Sequence, residues 1–158
     1  MKMLDFVLRD AIIPELKATD RDEAIHELVD AVVEAGGVDG SLRDALIRQI
    51  VEREKNGSTG FGKGVAVPHV KHEQIDKMVA AIGVSQNGID FNALDKQPVY
   101  SIFLLVSPKD KPDEHLQAME NLFSNLQKDT FRRFLRQSES KSEIEDLLAE
   151  ADAQQLAG

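Results

Sequence analysis

The sequence predicts a single α/β domain, a sandwich in which helices flank a mixed β-sheet. Apolar residues recur at helical spacing toward both ends of the chain, while β-type apolar runs cluster in the middle. A hairpin signal coexists with helical crossovers, so the sheet should combine antiparallel and parallel pairs. No internal repeat and no Pro/Ser-rich linker divides the 158 residues. The domain is therefore placed at 1–150, with the tail 151–158 expected to fray.

The first element is a short apolar run, Ala11 to Leu16, broken by Pro14 and read as an edge strand or extended entry segment. Asp20 stands three residues before Glu23 and predicts a helix start. Ala24, Ile25, Leu28, Val29, Val32 and Val33 follow at helical spacing, and Gly36-Gly37 ends the helix. His26 lies off this stripe and reads as a solvated residue. Ser41 is the expected cap of a second helix carrying Leu42, Ala45, Leu46 and Ile50, with Ile47 and Val51 widening the face and Gln49 as its polar exception. Asn56-Gly57 stops it.

Val65-Ala66-Val67-Pro68-His69 is a short β-type segment ended by proline. Met78 to Ser85 predicts a strand, and Asn87-Gly88 a hairpin turn, since both residue types tolerate positive φ. Ile89 to Phe91 begins the return. Val99 to Val106 is the expected central strand, followed by a loop over Ser107 to Lys111. Pro112-Asp113-Glu114 opens a helix with proline and acids in its first turn. Its expected buried stripe is Leu116, Met119, Leu122, Phe123 and Leu126. Asp129 to Arg136 predicts a short helix or turn. Ser140, three residues before Glu143, starts a last helix with Ile144, Leu147 and Leu148.

Composition narrows the function classes. Net charge is −9, which argues against a broad nucleic-acid surface but leaves room for a local anion site. With no cysteine, the chain has no disulfide, thiolate nucleophile or thiolate-bound metal. Met1-Lys2-Met3-Leu4-Asp5-Phe6 places an acid where a signal peptide needs its apolar stretch. The apolar runs near Met78 to Val84 and Ile102 to Val106 are too short to span a bilayer. A cytoplasmic protein without direct membrane insertion is expected.

The segment Gly57 to Gly64 holds four glycines in eight residues. Gly57, Gly62 and Lys63 meet the first part of a P-loop pattern, but Gly64 replaces the required Ser or Thr. A P-loop also follows a strand and opens a helix, whereas this loop follows a helix and opens a strand. A nucleotide site is thus disfavoured, and the glycines alone indicate a tight connection. The loop leads to His69, where neutral imidazole keeps one lone pair and can act as a nucleophile. Taken alone, a histidine at a strand end is more often structural.

Its neighbours strengthen the chemical reading. Arg53, at the end of the second helix, has a planar cationic fork suited to phosphate oxygens. Ser58 and Thr59 offer hydroxyls, and the glycine-rich backbone of 57–64, Gly60 included, is expected to offer free N–H groups. His115 falls in the first turn of a helix, where an anion is favoured. His72 is three residues beyond His69. Residues so spaced on a strand point to opposite faces, so a shared zinc site is disfavoured, and His72 reads as solvated. The acids of Glu139 to Asp152 read as a solvated helix face.

The run Arg53-Glu54-Lys55-Asn56-Gly57-Ser58-Thr59-Gly60-Phe61-Gly62-Lys63-Gly64-Val65-Ala66-Val67-Pro68-His69 resembles the signature of the type-2 enzyme IIA domains of the bacterial phosphoenolpyruvate-dependent phosphotransferase system. It is most similar to the nitrogen-regulatory and fructose members. The resemblance extends to Asp20–Leu28, to the stretch from Ile89 to Val99, and to His115-Leu116, and so covers nearly the whole chain.

The resemblance implies a mixed-sheet α/β sandwich in which His69 accepts a phosphoryl group from a histidine-containing phosphocarrier protein. It implies that Arg53 helps hold the phosphate and that His115 shapes the site. It implies onward transfer to a cysteine of an enzyme IIB domain, or use of the phosphate as a signal to a regulatory target protein, with no metal or other cofactor. Val70 departs from the small residue usual after the active histidine. If that position needs positive φ, valine predicts strain or a different loop path. A domain that no longer phosphorylates is the reading such strain would favour. Lys71 restores the basic residue expected next.

Overall fold

The computed structural model describes residues 1–157. A 3-10 turn at Met3–Asp5 leads into β1, Val7–Ile13. Helices α1, Arg21–Glu34, and α2, Arg43–Lys55, follow. Then come β2, Gly60–Gly62; β3, Val65–Ala66; β4, His69–His72; β5, Val79–Ile89; and β6, Val99–Pro108. The chain closes with α3, Pro112–Leu126; α4, Asp129–Gln137; and α5, Lys141–Ala157.

The six strands form one mixed sheet in the order β1-β5-β6-β3-β2, with β4 also paired to β6. Strands β1 and β5 are parallel, and β5 and β6 antiparallel. On its other edge β6 carries two parallel partners in succession. β3 pairs with Ser101 and Ile102, and β4 with Leu105 to Pro108. Val67-Pro68 makes the break between them. Proline has no N–H for a ladder, but the Pro68 carbonyl still accepts from Leu105 N at 3.0 Å.

Alternation along β6 sorts the core into two layers. Ile102, Leu104 and Val106 face the cluster built with α1 and α2. Phe103 and Leu105 face the cluster built with α3, α4 and α5. The predicted sandwich of helices about a mixed sheet is therefore the observed architecture, and Val99 to Val106 lies at its centre.

Several local expectations are corrected. β1 starts at Val7, earlier than Ala11, and lies at the edge of the sheet as expected. Asp20 caps α1 by accepting from Glu23 N. Ser41 does not cap α2; Asp39 caps the 3-10 turn Gly40–Leu42 that leads into it, its carboxylate accepting from Ser41 N at 2.9 Å. Gln49 is exposed, because the buried face of α2 runs through Leu46, Ile47, Ile50 and Glu54.

Asn87-Gly88 is not a hairpin turn. Gly88 takes positive φ, at 84°, but Asn87 does not, and both favoured two-residue turns need it at that first position. β5 runs on through a bulge, where Gly88 N donates to Ser85 Oγ at 3.0 Å. The return to β6 is made by residues 90–98. The tight turn lies instead at Lys63-Gly64, with φ of 61° and 77°, between antiparallel β2 and β3.

On α3 the buried face passes through His115, Ala118, Leu122 and Leu126, which leaves Leu116 58% exposed. Within the tail 151–158, α5 continues to Ala157. Asp152 is buried and accepts from Met3 N and Leu4 N at 2.8 and 3.0 Å. Gly158 lies outside the described residues.

Candidate functional site

His69 opens β4 rather than ending a strand. Its place opposite Leu105 turns the side chain to the α3 face of the sheet. His69 Nδ1 lies 2.8 Å from the carbonyl oxygen of Val67. A carbonyl can only accept, so in the neutral ring Nδ1 bears the proton and Nε2 keeps the lone pair. A half-buried imidazole with one nitrogen held and the other open is what a nucleophilic histidine requires.

The ring of His115 stands 5.5 Å from that of His69, tilted by 52°. It belongs to the first turn of α3, is buried, and places Nδ1 2.6 Å from Ser107 Oγ at the end of β6. Burial pushes its pKa down to about 4, with the charges of His69 and Lys71 adding to the shift. His115 is therefore neutral at pH 7. Lys71 is exposed on β4, two residues from His69 and so on the same face.

Arg53 is exposed on the last turn of α2, and its Nη1 donates to Gly57 O at 2.7 Å. It forms no hydrogen bond with His69 or His115 among the described residues. Among the described residues the rest of its N–H fork has no hydrogen-bond partner.

The glycine-rich segment is a folded hairpin with little free backbone. Ser58 Oγ donates to Phe91 O and accepts from Gly60 N, each at 2.9 Å. Thr59 N and its hydroxyl both donate to Glu54. Gly57 N donates to Glu54 O at 3.3 Å and Lys63 N to Asp95 Oδ2 at 3.1 Å. The expected cradle of free N–H groups at 57–64 is thus largely closed internally. Gly60 has a packing reason as well, since a Cβ there would stand 2.9 Å from Ala93 Cβ.

Val70 is unstrained. Lys63, Asn92 and Lys96 are the non-glycine residues with positive φ among those described, and Val70 is not one of them. It pairs with Val106, is 8% exposed, and packs into the core on the α1–α2 side, away from His69. His72 shares that opposite side of β4, and its Nδ1 accepts from Gln74 N at 3.0 Å. His26 is exposed on α1.

Three groups at this site escaped sequence reasoning: the Val67 carbonyl, Glu54 and Ser107. For two of them the signal was present. Glu54 continues the stripe of Ile47 and Ile50, which predicts burial. Ser107 continues the alternation of Phe103 and Leu105, which turns it to the α3 side.

Comparison with known proteins gives a consistent result. The family model described as "Phosphoenolpyruvate-dependent sugar phosphotransferase system, EIIA 2" matches residues 5–151. A PTS system fructose-specific EIIA component from Haloferax volcanii is 37% identical over 130 residues, covering 82% of this chain and 83% of the relative. A nitrogen regulatory protein from Bradyrhizobium diazoefficiens is 32% identical over 149 residues, covering 94% and 95%. The crystal structure of the nitrogen regulatory protein IIA-Ntr from Neisseria meningitidis superposes with a TM-score of 0.82 at 24% identity, covering 91% of this chain and 97% of that one. No helix among the described residues is long and apolar enough to cross a membrane.

Proposed function

The chain belongs to the EIIA 2 family of the phosphoenolpyruvate-dependent sugar phosphotransferase system, and from that premise we propose that it is a cytoplasmic carrier that takes a phosphoryl group onto Nε2 of His69. The donor is the phosphohistidine of a histidine-containing phosphocarrier protein. The observation that carries this reading is the bond from His69 Nδ1 to the Val67 carbonyl, which leaves Nε2 as the nucleophilic nitrogen.

The chemistry asks little covalent work of the protein. The Nε2 lone pair forms the new N–P bond as the donor's N–P bond breaks, and that bond's electron pair returns to the donor imidazole. The Nδ1 proton stays on the ring, and the Val67 carbonyl faces the positive charge the ring gains. Charge on the equatorial oxygens then needs donors and cations. In this reading His115 offers an N–H, and Lys71 and Arg53 offer charge. Ser58, Thr59 and Gly60 act through the loop's shape, since their polar groups are engaged within it. No metal or cofactor enters these steps.

As the family resemblance implies, onward transfer goes to the cysteine thiol of an enzyme IIB domain; this chain itself holds no cysteine. A second use is favoured by the match to a nitrogen regulatory protein over nearly the full length of both chains. In that use the phosphate on His69 switches binding to a target protein by adding charge to an exposed face.

The test is intact-mass measurement after incubation with the carrier protein, its kinase and phosphoenolpyruvate. The wild type gains one phosphoryl group and His69→Ala gains none, while His72→Ala and His26→Ala behave as the wild type. Labelling retained in His69→Ala would overturn the assignment.

A further inference from the structure

Ser107 has no role in the reading above, yet it is fully buried and its hydroxyl stands 2.6 Å from His115 Nδ1. The bond could run either way, because a hydroxyl both donates and accepts and a neutral imidazole nitrogen can do one or the other. The surroundings decide between them. Among the described residues, the Ser107 hydroxyl has no hydrogen-bond partner besides His115 Nδ1. If His115 Nδ1–H donated, the serine proton would be buried with nothing to receive it, which is unfavourable. If the serine donates, both groups are satisfied. His115 is neutral and therefore carries a single ring proton.

We infer that Ser107 is a positioning residue that donates to His115 Nδ1, holding the proton on His115 Nε2 so that the ring presents an N–H donor toward the phosphoryl group on His69. The two histidines then carry opposite tautomers by opposite means. Val67 can only accept, so it leaves His69 Nε2 bare. Ser107 donates, so it leaves His115 Nε2 protonated. One ring supplies the lone pair that forms the N–P bond, and the other supplies a donor to the oxygens it brings in. Were His115 in the other tautomer, two lone pairs would face the incoming anion.

β6 places both partners. His69 pairs with Leu105 and Lys71 with Ser107, so Ser107 lies two residues further along the same face of the central strand. The N-terminal turn of α3 then lowers His115 onto it.

This inference rests on the proposed phosphoryl transfer, but its first test does not. Long-range proton–nitrogen NMR of the histidine rings in the unphosphorylated protein at pH 7 reads each tautomer directly. The expected result is a proton on Nε2 of His115 and on Nδ1 of His69. A proton on Nδ1 of His115 overturns the inference, whether or not the protein accepts phosphate. Absence of labelling in the wild type would instead remove the transfer reading and leave the tautomer signal to be judged by itself.

The kinetic test compares Ser107→Ala with Ser107→Thr. Ser107→Ala should lower the maximal transfer rate by roughly ten- to a hundred-fold, as for hydrogen-bond partners behind metal-ligating histidines, with the KM for the phosphorylated carrier unchanged. Ser107→Thr keeps the hydroxyl and should recover most of the rate. A wild-type rate in Ser107→Ala, with its fold intact by NMR, would overturn the inference. So would an effect confined to KM.

Discussion

The Glu54 carboxylate holds Thr59 twice, accepting from its backbone N–H at 3.1 and 3.2 Å and from its hydroxyl. Glu54 is only 3% exposed, so the end of α2 is fastened to the start of β2 by a bond shielded from water. Thr59 O in turn accepts from Val67 N at 3.4 Å, and Val67 O accepts from His69 Nδ1. The orientation of His69 thus depends on a helix residue that does not touch it.

Replacing Glu54 with alanine strands both Thr59 donors. The expected loss of stability is about 1–3 kcal/mol, read from the urea midpoint. Glu54→Gln keeps one carbonyl oxygen and should lose less. Both variants should transfer phosphate more slowly through a loosened His69. An Ala variant with wild-type stability and rate would show that the clamp has no consequence.

Val70 tests whether departure from the usual small residue disables the site. Its side chain is core on the face opposite His69, so the variant separates packing from chemistry. Val70→Ala should cost about 1–2 kcal/mol of stability through lost burial. Labelling of His69 should be unchanged in both forms. Labelling that appears only after the substitution would mark the natural valine as inhibitory.

How much of this could be read from the sequence depends on the kind of signal. Periodicity carried far. The stripe of α1 and the apolar run of β6 marked the two layers, because burying a face requires a repeat that survives in one dimension, whereas the expected stripe of α3 shared only Leu122 and Leu126 with its buried face. Turn chemistry carried less. Asn87-Gly88 and Lys63-Gly64 both permit a tight hairpin, and the choice between them rests on which strands find partners. His69, Arg53 and His115 were legible as residue types. What holds them was not, since the partners are the backbone carbonyls of Val67 and Gly57 and a strand-end serine, set in place only by the fold.

Leu116 gives a prediction that arises from a corrected expectation. It is exposed beside His115 rather than packed in the core. Under the proposed transfer the site receives another protein's histidine, and an exposed leucine beside it is suited to contact that protein. Leu116→Ser should leave the thermal midpoint unchanged and raise the KM for the phosphorylated carrier by about tenfold, equivalent to about 1.4 kcal/mol. The maximal rate should hold. A variant that unfolds early, or one with unaltered KM, contradicts this placement.

His115 also gives the stability a pH dependence whose sign is fixed. Its pKa is lowered to about 4 in the folded protein from 6.5 for the free side chain, by burial first and by the charges of His69 and Lys71 after it. Between these values the unfolded chain binds more protons than the folded one, so stability rises with pH across that interval. Above pH 6.5 the contribution is complete. It is lost as pH falls, by about 3 kcal/mol once both states are protonated below pH 4. Carboxylates add their own acid dependence, so the wild type must be compared with His115→Asn, which keeps a polar side chain and cannot titrate. Urea unfolding at pH 7.5, 6, 5 and 4.5 should show a shallower fall in the variant, and the His115 ring signals should titrate near pH 4. Parallel curves for the two proteins, or a ring midpoint near 6.5, would show that His115 is not held in a charge-excluding site. Phosphorylation of His69 places a dianion beside the ring, so it should move the midpoint upward.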